Sequence, residues 1–210
     1  WKCKGAGLRS FFARDAAKLK LASDALGPVF AYVASGDGFY EDGSFIQHTR
    51  HPYTGGYGNS LIGELADLLF LLAGSRWEVA DPARDNIYRW IFESFEPVIY
   101  SGAMMDMVRG REISRSGSPD HAVGHSSAAG ILRVSMFAHP DVSGRLRSML
   151  KEWYRADTSR DWASGRSLEQ IMAIRRLLDD DTVERRGERL GSWVFAGMDR
   201  VVHLRPGWGF

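Results

Sequence analysis

Along most of this chain apolar residues recur at helical spacing, and after Arg189 they recur closer to every second position. A period of about 3.6 lets one face of a helix meet a core, and a period of 2 does the same for a strand. From Leu8 to Val33 the series Leu8, Phe11, Phe12, Leu19, Ala22, Leu26 and Phe30 reads as helical, with Gly27-Pro28 breaking or kinking the run. A second helix is expected from Asn59, capped by Asn59 or Ser60, through Leu61, Leu65, Leu68, Leu69 and Leu72 to a stop at Gly74. Its second half is apolar on nearly every side, which predicts burial between other helices. Further helices are expected over Asp85 to Phe95, Ala122 to Ala138, Val142 to Tyr154 and Ser167 to Leu178, and loops over Ser35 to Gly58 and Gly110 to Asp120.

The resulting expectation is a mainly α chain, a helical array over residues 1–189 whose long loops gather on one side, followed from residue 190 by the first strands of a β domain. Val194 to Phe210 alternates like a strand, and its neighbouring strands are expected from outside this sequence. Beginning at Trp1 rather than Met, the chain reads as a processed product or an excised fragment.

Composition narrows the classes. With 44% hydrophobic and 25% charged residues over 210 positions, the chain can bury one globular core. Its densest apolar run, Leu65 to Ala73, contains Asp67 and is far shorter than the ~18 residues of a membrane span. A net charge of +1 gives no global field for nucleic acid or an anionic membrane. Cys3, the one cysteine, excludes an intrachain disulfide. No phosphate loop, dinucleotide fingerprint or cysteine metal site is present, so no cofactor and no metal are expected. Of the 27 basic residues, 22 are Arg, whose planar fork suits carboxylate and sulfate; a GC-rich genome explains most of them equally well, so only arginines placed by a motif carry weight.

Chemistry concentrates in the segment Asp42 to Gly58. Pro52 and the glycines Gly55, Gly56 and Gly58 mark it as a shaped loop that cannot be helix, and it carries His48 and Tyr57. A loop His or Tyr more often packs than reacts, but the two together suggest a proton-transfer pair. A phenol ionises near pH ~10, so a tyrosine base needs cations beside it. The segment Met104 to Arg115 supplies them: Arg109 and Arg111 flank Gly110, and Arg111 and Arg115 would share a face if the segment is helical. A solvated charged turn, neutralised by Asp106 and Glu112, is the plainer alternative. His121 and His125, four apart, could face a metal, yet no glutamate or third ligand accompanies them and a packing role fits better. Trp1 or Trp162 could stack on sugar rings, although most aromatics belong to the core. Glu41 and Asp42 are the nearest carboxylate pair for a hydrolase, but adjacent residues point apart.

Residues 42–58, the helix from Asn59 and the Arg-Gly-Arg-Glu-Ile-Ser-Arg stretch at 109–115 together resemble polysaccharide lyase family 8, the hyaluronate, chondroitin AC and xanthan lyases. Phe195 to His203 resembles the entry to that family's β-sandwich domain. The resemblance implies that residues 1–189 are the C-terminal part of an incomplete (α/α) toroid and that residues 190–210 start a truncated β-sandwich. It implies β-elimination on an anionic polysaccharide, hyaluronan or chondroitin first and xanthan next, giving a 4,5-unsaturated uronate without water or metal. Tyr57 would take the C5 proton and protonate the leaving oxygen, His48 would help neutralise the uronate carboxylate, Arg111 would favour the ionised Tyr57 and stabilise charge at the scissile bond, and Arg115 with Arg109 would bind substrate anions. The family's Asn partner for the carboxylate is missing here, because the two asparagines, Asn59 and Asn86, both follow His48. A secreted monomer that binds neither nucleic acid nor membrane completes that picture, and a non-catalytic carbohydrate-binding helical module is the competing one.

Overall fold

The computed structural model describes residues 2–210; Trp1, considered above for sugar stacking, lies outside them. Seven α-helices are present: α1 (Lys2–Phe12), α2 (Ala16–Asp24), α3 (Asn59–Leu72), α4 (Asn86–Trp90), α5 (Asp120–Ser135), α6 (Pro140–Ala156) and α7 (Leu168–Leu178). α1 packs on α2 and α3, α3 on α5, α5 on α6 and α6 on α7, so each helix meets one close to it in sequence, as in an (α/α) array, and the short α4 is bypassed by the α3–α5 contact. Among the described residues no helix is long and apolar enough to cross a membrane.

The run expected from Leu8 breaks earlier than Gly27-Pro28. Arg14 adopts a left-handed φ of 53°, and Asp15 caps α2 by accepting the Lys18 N–H at 3.0 Å. A short carboxylate that satisfies an orphan helix N–H competes with continuation of the helix, a signal the apolar spacing does not carry. Gly27-Pro28 opens a separate 3₁₀ turn, Gly27–Phe30.

The expected caps of α3 are also revised. Neither Asn59 nor Ser60 caps it, because a π-helical turn, Thr54–Gly58, runs directly into the helix. The Asn59 amide oxygen instead accepts from Ser127 Oγ of α5 at 2.9 Å. Leu65, Ala66, Leu68, Leu69 and Leu72 are buried as predicted, while Phe70 stays exposed beneath Arg133. α3 and α5 pass closely at Gly63 and Gly130, where a methyl on Gly130 would make an ordinary contact of 3.5 Å with Gly63 Cα.

Three small antiparallel sheets hang on this array. β1 (Gly38–Phe39), β2 (Phe45–Gln47) and β3 (His51–Pro52) form one, with Phe39 opposite Phe45 and Gln47 opposite His51. Its inner side is aromatic: Phe39 stacks on Trp90 at 4.3 Å between ring centroids and meets Phe45 at 4.5 Å. β4 (Ile99–Tyr100) and β5 (Ala103–Met104) make a hairpin that aims Met104 into the core. β6 (Gly191–Phe195), β7 (Arg200–Arg205) and β8 (Trp208–Gly209) form a meander. The strands expected from outside the sequence are thus found within it, because the turn at Ala196–Met198 with left-handed Asp199, and the turn at Gly207 with φ 78°, fold the segment back on itself.

The meander is tied to the helices. Glu96 is fully buried as a side chain and is gripped by both Arg186 and Arg189, so a carboxylate that would be costly alone is neutralised at the junction. Phe195, Val202 and Leu204 complete its apolar underside.

The β4–β5 turn is pinned by a polar cluster. His125 Nε2 donates to the Asp157 carboxylate at 2.8 Å and its ring stacks on Trp162 at 3.6 Å, while Ser159 Oγ bonds both Asp157 and His121. A methyl on Gly102 would meet Asp157 Cγ at 2.8 Å, so this carboxylate sits directly against the turn. Trp162 is 8% exposed and packs also on Tyr154, which places it in the core rather than on a sugar-stacking surface. Burial pushes the His125 pKa below the ordinary imidazole value despite the Asp157 contact. Against the effect of burial, hydrogen bonds from His125 and Ser159 hold Asp157 below the usual carboxylate range.

A histidine whose folded pKa is depressed takes up its proton first in the unfolded chain, so its stabilising effect is present above ~6.5 and declines as pH falls through that value. The Asp157 contribution is lost only in stronger acid. Thermal unfolding midpoints are expected to decline from pH 7.5 to 5.5, and His125→Gln to flatten that decline; an equal slope in both proteins would remove His125 as its source.

Candidate active site

His48 lies in the turn between β2 and β3, and Tyr57 in the π-helical turn that leads into α3. The expectation that this segment cannot be helix therefore fails for residues 54–58. Pro52 stops short of the turn, and Gly55, Gly56 and Gly58 keep φ values that any residue adopts. These glycines serve close approach instead: a methyl on Gly55 would sit 2.7 Å from Met104 Cγ, and one on Gly56 2.5 Å from Tyr53 Cε1.

The two side chains meet. His48 Nε2 is 3.1 Å from the Tyr57 hydroxyl, with the rings edge to face at 4.9 Å. Arg111 comes from the other segment and places Nη2 3.5 Å from the same His48 nitrogen. Tyr57 is 38% exposed and His48 is exposed, so the trio opens to solvent. A ring nitrogen has one lone pair, so it satisfies only one of these partners fully and leaves the other free to turn toward a ligand.

Tyr53, to which the sequence pattern assigns no role, organises the trio. It is 1% exposed, its hydroxyl accepts the Arg111 backbone N–H at 3.2 Å, and its ring stands edge to face with Tyr57 at 5.1 Å. The ring is wedged between Gly56 and Gly110, where a methyl would approach it to 2.4 Å and 2.5 Å respectively. The signal was present in the glycine spacing, which marks a shaped loop at Gly55, Gly56 and Gly58 and close approach at Gly110 without showing that a ring fills the space.

The arginines separate. Arg109 does not face a ligand: it is 4% exposed, with its guanidinium bonded to Asp106 and to the Ser118 carbonyl, so it holds the segment in place and its expected substrate contact is corrected to a positioning one. Gly110–Ser114 is a 3₁₀ turn, which at about three residues per turn sets Arg111 and Arg115 roughly 120° apart rather than on one face. Arg115 is exposed and pairs loosely with Glu112 at 3.7 Å.

Neither remaining candidate offers a reactive pair. Among the described residues no His, Cys, Asp or Glu group is arranged for a metal ion, and His121 and His125 are spent on Asp120, Ser159 and Asp157. Asp42 accepts from Ser44 N at 2.8 Å and Gly197 N at 2.7 Å; against burial, these bonds hold its carboxyl below the usual range, which suits a clasp rather than an acid.

Comparison with known proteins gives consistent matches. Residues 2–152 match the model of "Polysaccharide lyase family 8, N terminal alpha-helical domain". A xanthan lyase of Bacillus sp. (strain GL1) is 42% identical over 99% of this chain and 22% of its own length, and a hyaluronate lyase of Thermasporomyces composti is 39% identical over 100% and 27%. Among solved structures, a Paenibacillus xanthan lyase superposes with a TM-score of 0.97 at 44% identity, covering all of this chain and 20% of that one. Chondroitin AC lyase of Streptomyces coelicolor A3, solved with chondroitin sulphate, gives 0.93 at 36% identity, covering 99% and 29%. The chain thus spans between a fifth and three-tenths of the length of these relatives.

Gly56→Ala isolates the wedge, because Gly56 needs no special backbone angle. An alanine in such a turn would ordinarily be neutral or stabilising by up to ~1 kcal/mol. Here the methyl must displace a fully buried ring, and a loss of about 1–3 kcal/mol in denaturant unfolding is expected; a neutral result would show that Tyr53 is not wedged.

Proposed function

Because the chain belongs to polysaccharide lyase family 8, we propose that the protein containing it cleaves a uronate-bearing polysaccharide by β-elimination, with Tyr57 carrying the proton. The observation that carries this reading is the convergence of a solvent-open tyrosine hydroxyl, an imidazole and a guanidinium within 3.5 Å of one ring nitrogen. In the reaction the ionised Tyr57 oxygen takes H5 of the uronate, the C5–H electrons form the C4=C5 bond, and the C4–O bond breaks. The protonated Tyr57 then returns its proton to the leaving oxygen. His48 and Arg111 face the uronate carboxylate and disperse the charge that builds beside C5. Arg115, exposed at the rim, contacts further anionic groups of the polymer.

Asn59 accepts from Ser127 through its amide oxygen and Asn86 donates to the Phe30 carbonyl, so both side chains are tied to other elements of the fold rather than to His48 or Tyr57. In the same reading, residues 1–189 belong to a helical catalytic domain and residues 190–210 open a β-sandwich. A polymer substrate implies action outside the cell. Hyaluronan, chondroitin and xanthan are the candidate substrates; identities of 42% and 44% to xanthan lyases, against 39% to a hyaluronate lyase and 36% to a chondroitin AC lyase, keep xanthan level with the first two.

The test is to incubate the full-length protein with hyaluronan, chondroitin and xanthan and follow the absorbance of the unsaturated uronate. A lyase produces that chromophore, a hydrolase produces reducing ends without it, and a binding module produces neither. Tyr57→Phe is expected to lower kcat by about 10³-fold or more with little change in KM; an unchanged rate would exclude Tyr57 as the proton carrier.

A further inference from the structure

His48 and Thr49 are consecutive non-glycine residues with left-handed backbones, φ 54° and 76°. A histidine tolerates that region fairly well, but a β-branched threonine does not, so something outside the turn must hold it there. Asp37 is placed to do so. Its Oδ1 accepts the Thr49 backbone N–H at 2.7 Å, and its Oδ2 accepts from Gln47 Nε2 at 2.6 Å, so one carboxylate bridges the residues on either side of His48.

The fold delivers Asp37 to this position. Gly38 pairs with Ile46 across β1 and β2, so continuing the antiparallel register one step sets Asp37 opposite Gln47, at the mouth of the His48 turn. Gly36 and Gly38, with φ of 78° and 141°, turn the chain so that Asp37 arrives there from a tight bend. Phe39, the next residue in β1, is locked in the aromatic core, so Asp37 is held from a rigid base.

We propose that Asp37 is a positioning residue that holds the strained His48–Thr49 turn and thereby keeps the His48 imidazole against Tyr57. Without it, Thr49 relaxes to an ordinary φ, the chain direction at His48 changes, and Nε2 leaves the 3.1 Å position. The proposal rests on the reading of His48 as a substrate-facing group. It assigns Asp37 a geometric task, so an isosteric amide serves: Asn offers an oxygen to Thr49 N–H, and Gln47 turns its own amide to match.

Three variants of the full-length protein test it on hyaluronan, chondroitin and xanthan, alongside hydrogen exchange of the backbone over residues 45–53. Asp37→Ala is expected to lower kcat about tenfold with KM within about twofold, since a misplaced group costs turnover more than binding. Asp37→Asn keeps kcat within about threefold of the parent. Adding Thr49→Gly to Asp37→Ala restores several-fold of the lost rate, because glycine adopts φ near 76° without strain. Exchange over residues 45–53 rises about tenfold in Asp37→Ala alone.

Wild-type kcat in Asp37→Ala, or Asp37→Asn as slow as Asp37→Ala, or no recovery with Thr49→Gly, would overturn the positioning role. If the parent protein forms no unsaturated product from any of the three polymers, the lyase reading fails separately, and exchange alone then decides whether Asp37 holds the turn. Unchanged exchange in Asp37→Ala would refute it.

Discussion

The site depends on one ring in a slot. Tyr53 lies between Gly56 and Gly110, two positions where even a methyl group would overlap it. The two segments that carry the polar groups share no hydrogen-bonded ladder, so the ring substitutes for one. Its lower edge fixes the turn that presents Tyr57, and its hydroxyl fixes the backbone of Arg111. Dispersion contacts on both faces and a single directed hydrogen bond set distance and orientation together, which neither would do alone. Gly55 extends the same logic by letting Met104 and the Arg109 stem close against the turn from the other side.

A second constraint comes from the β-meander. Asp42 accepts the Gly197 N–H, and Arg200 donates to the Met107 carbonyl at 3.2 Å, so the turn between β6 and β7 grips both polar segments. Gly43, at φ 86°, brings the chain so close to Phe195 that a methyl would sit 3.0 Å from its ring. The loops that carry His48, Tyr57 and Arg111 are thus clamped between a helical array and the first strands that follow it. An element that looks peripheral in sequence becomes part of the site's frame, and Glu96 with its two arginines anchors that element at the far end.

Much of this was legible in the sequence, and what was not follows a pattern. Apolar spacing located α3, α5, α6 and α7 because long amphipathic or buried helices imprint their period over several turns. It missed the break at Arg14 and Asp15, where one capping carboxylate outweighs the surrounding period. It also assigned Thr54–Gly58 to loop, since glycine disfavours helix in isolation, whereas here tertiary packing around Tyr53 selects a π-helical turn. His48, Tyr57 and Arg111 were found by motif, and the geometry joins them. Tyr53, Asp37 and Asp42 were missed or misread because their roles are defined by partners 58, 12 and 155 residues away, separations that no local pattern encodes.

Arg109 and Arg111 show how partners rather than residue type decide what a cation can do. Both guanidiniums stand two residues apart beside the same glycine. Arg109 is buried with both terminal nitrogens committed to Asp106 and the Ser118 carbonyl, so a ligand at those nitrogens would have to displace bonds already made in a dry environment. Arg111 has no carboxylate partner among the described residues and touches only the single lone pair of His48, which Tyr57 also seeks. Its remaining donors lie on an exposed side chain, where a carboxylate would gain a charge-assisted fork without breaking an ion pair. A polymer that then covers the site lowers the local dielectric and strengthens the contact further. This local asymmetry reconciles a chain of nearly neutral net charge with the anionic ligand proposed for it: attraction would arise from the guanidinium the fold leaves without a carboxylate partner near Tyr57, and not from any field of the whole molecule.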